Sequence, residues 1–233
     1  MFKRTVTTMA LAAAIGVSQG ATADVVDESF YPYKEGVPTF AGLEAGVTIN
    51  AGNADQYKDV IDDAVYQQLK DGWFEMKVGE TTSFDLHQNY VDATRKGLGS
   101  VSLGDELGQI NGFAAGRPFP EEPSTDDPRA GEKLAWNYKY GYNWGDSGSV
   151  YPFYWKFRDM ESGKIERTLK FNFHFLNYKH RVLQDPVGNF EDNPSDLFRG
   201  IYVQVLEPFD VKNTQLLIHR ASDDQVRDNS WLY

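Results

Sequence analysis

The stretch from Val150 to Tyr178, VYPFYWKFRDMESGKIERTLKFNFHFLNY, constrains the fold of this chain more than any other. Phe153, Trp155 and Phe157 alternate with Tyr154, Lys156 and Arg158. After a turn at Glu161-Ser162-Gly163-Lys164, Leu169, Phe171, Phe173 and Phe175 alternate with Thr168, Lys170, Asn172 and His174. A helix could not put these aromatics on one side, but a strand does so by geometry, because successive side chains point to opposite faces. The pattern predicts one long antiparallel hairpin with a buried aromatic face and a wet charged face. Further strands are expected around Ile201, Val203 and Val205 and around Leu216 and Ile218, with Trp231-Leu232-Tyr233 opening another. That triplet at the end of the chain suggests a domain whose remaining strands are missing.

The segments before the hairpin read as material that covers the sheet. Val47-Thr48-Ile49 suggests a short strand. Asn53-Ala54-Asp55-Gln56 has the form of a reciprocal helix cap. Tyr57, Val60, Ile61, Ala64, Val65 and Leu69 follow at helical spacing, with a break expected near Asp62-Asp63 and a stop at Gly72. The apolar stripe of this helix is expected to pack on the sheet. Further short helices are expected over His87 to Lys96 and after Asp126-Asp127-Pro128, where an acidic cap precedes a proline suited to a first helical turn. On the latter, Trp136 and Asn137 read either as a binding pair or as an aromatic anchor beside a hydrogen-bonding neighbour. The polar stretch from Lys179 to Phe198 is long for a structureless connection and suggests a lid or gate.

Residues 1–23 have the layout of a secretory signal peptide: Lys3 and Arg4, an apolar run from Val6 to Val17, and Ala21-Thr22-Ala23 as the cleavage site. The run is short for a bilayer span, so an integral membrane protein is not expected. The mature chain, 24–233, is expected to be the N-terminal portion of a single domain, in the periplasm. The absence of cysteine excludes disulfides, thiol nucleophiles and thiolate metal sites. Removing Lys3 and Arg4 leaves 21 basic against 34 acidic residues, a charge of −13. Such a balance argues against nucleic acid and against anionic membrane surfaces as partners.

Catalytic signatures are missing. The four histidines, His87, His174, His180 and His219, form no H-E-x-x-H pattern, and there is no G-x-S-x-G elbow, phosphate loop or dinucleotide fingerprint. No cofactor is implied. Acidic pairs such as Asp62-Asp63 and Asp126-Asp127 sit where caps and turns want acids, which is not the cleft arrangement of a glycosidase. Aromatic residues, including 15 Phe and 13 Tyr, are numerous enough to line a groove for an apolar or sugar-like ligand.

Four segments carry a family resemblance: Gly116-Arg117-Pro118-Phe119-Pro120, Ala130-Gly131-Glu132-Lys133-Leu134-Ala135-Trp136-Asn137, Arg199-Gly200-Ile201-Tyr202, and Asp228-Asn229-Ser230-Trp231-Leu232-Tyr233. Through them the chain resembles a bacterial periplasmic family, domain of unknown function thirteen-twenty-nine, related to outer-membrane lipoprotein-sorting proteins. The resemblance implies a mainly β fold with α: an antiparallel sheet curved into an incomplete barrel covered by helices, as in the carriers LolA and LolB, whose concave apolar face holds acyl chains. It also implies an association with an envelope exporter, and it supplies no catalytic residues.

Together these observations suggest a non-enzymatic carrier for a lipid or other apolar small molecule. Its candidate groove is Phe153, Trp155, Phe157, Phe171, Phe173 and Phe175, with Ile201 and Val203 adjacent. The same residues could instead form a sealed core. A carbohydrate-active or carbohydrate-binding protein and a structural subunit of an envelope complex are the rival readings.

Overall fold

The computed structural model of the chain describes residues 19–30, 36–82 and 84–233, with side chains from Val25 onward. Most of the expected signal peptide, residues 1–18, lies outside the described residues. The elements run α1 (Gln19–Phe30), β1 (Thr48–Ile49), α2 (Asp63–Lys70), β2 (Met76–Lys77), α3 (Gln88–Gly97), β3 (Ser102–Leu103), β4 (Ile110–Asn111), α4 (Ala130–Lys139), β5 (Ser147–Arg158), β6 (Ile165–Asn177), β7 (Leu197–Glu207), β8 (Gln215–Ala221) and β9 (Asn229–Leu232). The fold is mixed α and β. Its main sheet has five antiparallel strands in sequence order, β5-β6-β7-β8-β9, and among the described residues it does not close into a barrel.

The expected hairpin is β5 and β6. Its tip is built by Asp159, whose carboxylate accepts from the backbone N–H and hydroxyl of Ser162 at 2.7 and 2.6 Å. Gly163 takes a positive φ of 68° there, and the Trp73 ring lies so close that a Cβ would sit 2.3 Å from it. Only glycine satisfies both demands. The register differs from simple facing rows. Phe153 lies opposite Phe171, but Trp155 faces Leu169 and Phe157 faces Arg167, while Phe173 and Phe175 lie opposite Val150 and Gly148. The shift comes from a bulge between Val150 and Phe153, where Pro152 has no N–H to give the ladder.

The upstream segments meet this sheet at its ends and leave Phe153, Trp155 and Phe157 exposed, which corrects the expectation that they would cover it. They form their own packing. Ile49, Ala54, Tyr57 and Leu69 are buried together, with Phe40, Val65 and Phe74 against them. The α2 stripe is spent on this small lobe, so it does not pack on the sheet. The break before α2 falls where expected: a 3₁₀ helix over Ala54–Val60 ends, and Asp62 caps α2 by accepting from the N–H of Ala64 and Val65 at 2.9 and 3.4 Å. Asn53 makes no cap; its amide instead ties Asn50 to Thr48.

The second buried region lies where α3 and α4 meet the ends of β6 and β7. Tyr90, Val91 and Thr94 of α3, Trp136 of α4, and Val182, Leu197 and Phe198 are buried here. Val26 of α1 is fully buried, and Asp27 pairs with Arg95 at 2.5 Å. Gly116 is explained by this packing: its φ is +85°, and a Cβ would come within 2.5 Å of the Thr94 nitrogen. The next residue, Arg117, places its guanidinium 4.4 Å from the Phe30 ring centre.

The 179–198 stretch is pinned, so the lid expected from its length is not what the structure contains. Buried Arg181 donates to the carbonyls of Asn177, Gln184, Asp185 and Pro186. Buried Asp146 accepts from the N–H groups of Val182, Leu183 and Gln184 at 2.5 to 3.0 Å. A segment whose carbonyls and N–H groups are bound to buried side chains opens only at the cost of those bonds.

Candidate ligand-binding face

Period-two geometry carries the apolar face across strands. Phe173 aligns with Val203, which aligns with Leu216 and then Leu232; Phe175 aligns with Ile201 and Ile218. Phe153, Trp155, Phe171, Phe173, Phe175, Ile201 and Val203 therefore share one face. The opposite face carries Tyr154, Lys170, Asn172, His174, Tyr202 and Gln204. There His174 and Ser149 share a hydrogen bond of 2.7 Å between Nδ1 and Oγ.

The aromatic rings touch in sequence. Phe175 and Phe173 have centres 6.2 Å apart, Phe173 and Phe153 6.5 Å, Phe153 and Phe171 4.8 Å, and Phe171 and Trp155 4.9 Å. Such contacts stabilise a sheet by about 0.5–1.5 kcal/mol per pair beyond area burial. The face is nonetheless open. Phe171 is 3% exposed, whereas Phe153 is 36%, Phe157 48% and Trp155 56% exposed. Phe173, Phe175, Ile201 and Val203 are half-buried. The expectation of a buried aromatic face holds for Phe171 alone, because the helices gather at one end of the sheet.

That end carries the polar residues. Arg199, on the same face as Ile201, donates from Nε to the Asn177 Oδ1 at 2.6 Å and lies about 5 Å from the ring centres of Trp144, Phe175 and Phe198. Burial, with Arg220 nearby, pulls its pKa down to about 10. Lys139 crosses from α4 to Asp224 at 2.7 Å, and burial lowers its pKa as well. His180 lies 4.8 Å from the Phe113 ring, with Nδ1 2.7 Å from the Ala114 carbonyl, and burial holds its pKa below the ordinary value. Among the described residues no group of three or more His, Asp or Glu side chains converges as a metal site.

Trp136 and Asn137 settle as an anchor and a clasp. Trp136 is buried and stacks on Tyr140 at 5.9 Å. Asn137 grips the backbone of Phe119 from both sides, accepting from its N–H at 2.9 Å and donating to its carbonyl at 2.7 Å. Two resemblance-bearing segments, around Phe119 and Trp136, are thus parts of one structural joint. The match to the family described as Protein of unknown function (DUF1329) covers residues 48–233.

The chain belongs to that family.

The family match takes in every candidate face residue and Arg199, while α1 precedes it. No curated protein and no solved structure matches the chain. Alternation places the candidate residues of this family member on one face, and Arg199 lies on that face without having been singled out beyond its motif. The signal available was an arginine at an inward strand position, beside apolar Ile201 and Val203.

Proposed function

We propose that this chain is an exported, non-enzymatic carrier that holds a lipid-like ligand against the apolar face of its five-stranded sheet. One observation carries the proposal: a contiguous aromatic row lies on one face, and only Phe171 within it is buried. Solvated apolar surface of this kind is unfavourable by about 25 cal/mol per Å² until something covers it, and large exposed patches mark binding surfaces. The signal-peptide pattern at residues 1–23 supports a periplasmic location, where an apolar cargo needs an escort across water. The family resemblance supports a LolA- or LolB-like use of the sheet as part of an incomplete barrel, in the service of an envelope exporter. Among the described residues no helix is long and apolar enough to cross a membrane.

Titration with an environment-sensitive fluorescent fatty acid tests the proposal. The carrier gives a saturable signal that Phe173→Ala weakens while the fold persists. A wild type that binds no probe but binds a glycan array refutes the proposal in favour of the carbohydrate reading.

A further inference from the structure

Among the described residues Arg199 pairs with no carboxylate. It is 6% exposed, and only its Nε is used. Neither Nη makes a hydrogen bond to a described residue. Asp146, the carboxylate that lines the same cavity, is engaged by the backbone of Val182, Leu183 and Gln184. A buried guanidinium surrounded by aromatic faces and left without an anion is costly unless a ligand completes it. Arg199 lines a partly open cavity of about 30 Å³, together with Lys139, Tyr140, Trp144 and His180. That volume admits about two water-sized groups, which matches the two oxygens of a carboxylate. A guanidinium fork binds such a pair in parallel hydrogen bonds.

Arg199 links the cavity to the aromatic row. Arg199 is 5.1 Å from Phe175, the first ring of the row. From Arg199, Ile201, Val203 and Val205 continue along β7 opposite Phe175, Phe173 and Phe171. The seven residues from 199 to 205 span roughly 20 Å of strand. We propose that Arg199 receives the carboxylate of an anionic amphiphile, a fatty acid in chemical class, whose tail runs from Phe175 toward Phe171 and Phe153. The tail's placement rests on the carrier reading above; the head's placement rests on Arg199 alone.

Calorimetric titration of the wild type at fixed ionic strength uses three probes below their aggregation concentrations: laurate, 1-dodecanol and acetate. Laurate binds at least about tenfold tighter than the uncharged alcohol. Arg199→Gln removes this preference, and Arg199→Lys restores part of it. Because the preference is read on the wild type, failure of a variant to fold leaves the test intact. Equal binding of laurate and dodecanol overturns the proposal while sparing the carrier reading. Acetate binding that is lost in Arg199→Gln, with neither long-chain probe bound, upholds the anion site and sinks the carrier. Binding of no probe overturns both.

Discussion

Two identical substitutions at different depths separate an open face from a covered one. Phe171 is 3% exposed and touches Phe153 and Trp155 at 4.8 and 4.9 Å, so Phe171→Ala removes a buried ring and leaves a cavity. The expected loss is about 3–5 kcal/mol. Phe157 lies on the same hairpin but is 48% exposed. Half of the roughly 1.5–3 kcal/mol for full burial of such a side chain leaves about 1 kcal/mol, with no cavity because water fills the space. For a domain of this size each kcal/mol moves Tm by about 2–4 °C. Phe171→Ala should therefore lower Tm by roughly 6–20 °C and Phe157→Ala by roughly 2–4 °C. Circular dichroism melts of ligand-free protein read both. Equal, large losses would mean that the face is sealed in solution and that the open-groove reasoning is wrong.

Other outcomes follow from single contacts. Asn137→Ala should lose about 2 kcal/mol in denaturant melts, since it strips two hydrogen bonds from the Phe119 backbone. Gly163→Ala should cost more than about 1 kcal/mol, because the turn holds a positive φ and Trp73 fills the space. Asp146→Ala should speed amide exchange at Val182, Leu183 and Gln184 well above that of β6, since their acceptor is gone. Burial lowers the His180 pKa, so between its folded value and the ordinary value of about 6.5 the unfolded chain binds the proton first. Stability should be full above that value and fall as pH drops through the window, and His180→Gln should shrink the Tm difference between neutral and mildly acidic buffer.

The strands were legible because alternation needs no tertiary information. Phe171, Phe173 and Phe175 can share a face only on a strand, and β5 through β8 appear where the pattern places them. The break between Val60 and Asp63 was legible from adjacent acids, which favour a cap over a helix interior. What alternation cannot say is what lies above the face. Apolar residues at inward positions look the same whether a helix or a ligand covers them, so the sequence suggested a covered sheet and the structure leaves it open. The 179–198 segment failed for a related reason. Its anchors, Asp146 and Arg181, read as ordinary loop charges until the fold brings them against backbone groups. The cation at Arg199 was hidden in the same way, since its three aromatic neighbours come from three separate parts of the chain.

Native mass spectrometry of the protein recovered from the envelope after export tests the central claim most directly. The account predicts a fraction of the mature chain carrying a lipid-mass adduct that organic solvent extracts, with the adduct reduced in Phe173→Ala. A wild-type protein at its bare mass, taking up no fatty acid when one is supplied, would contradict it.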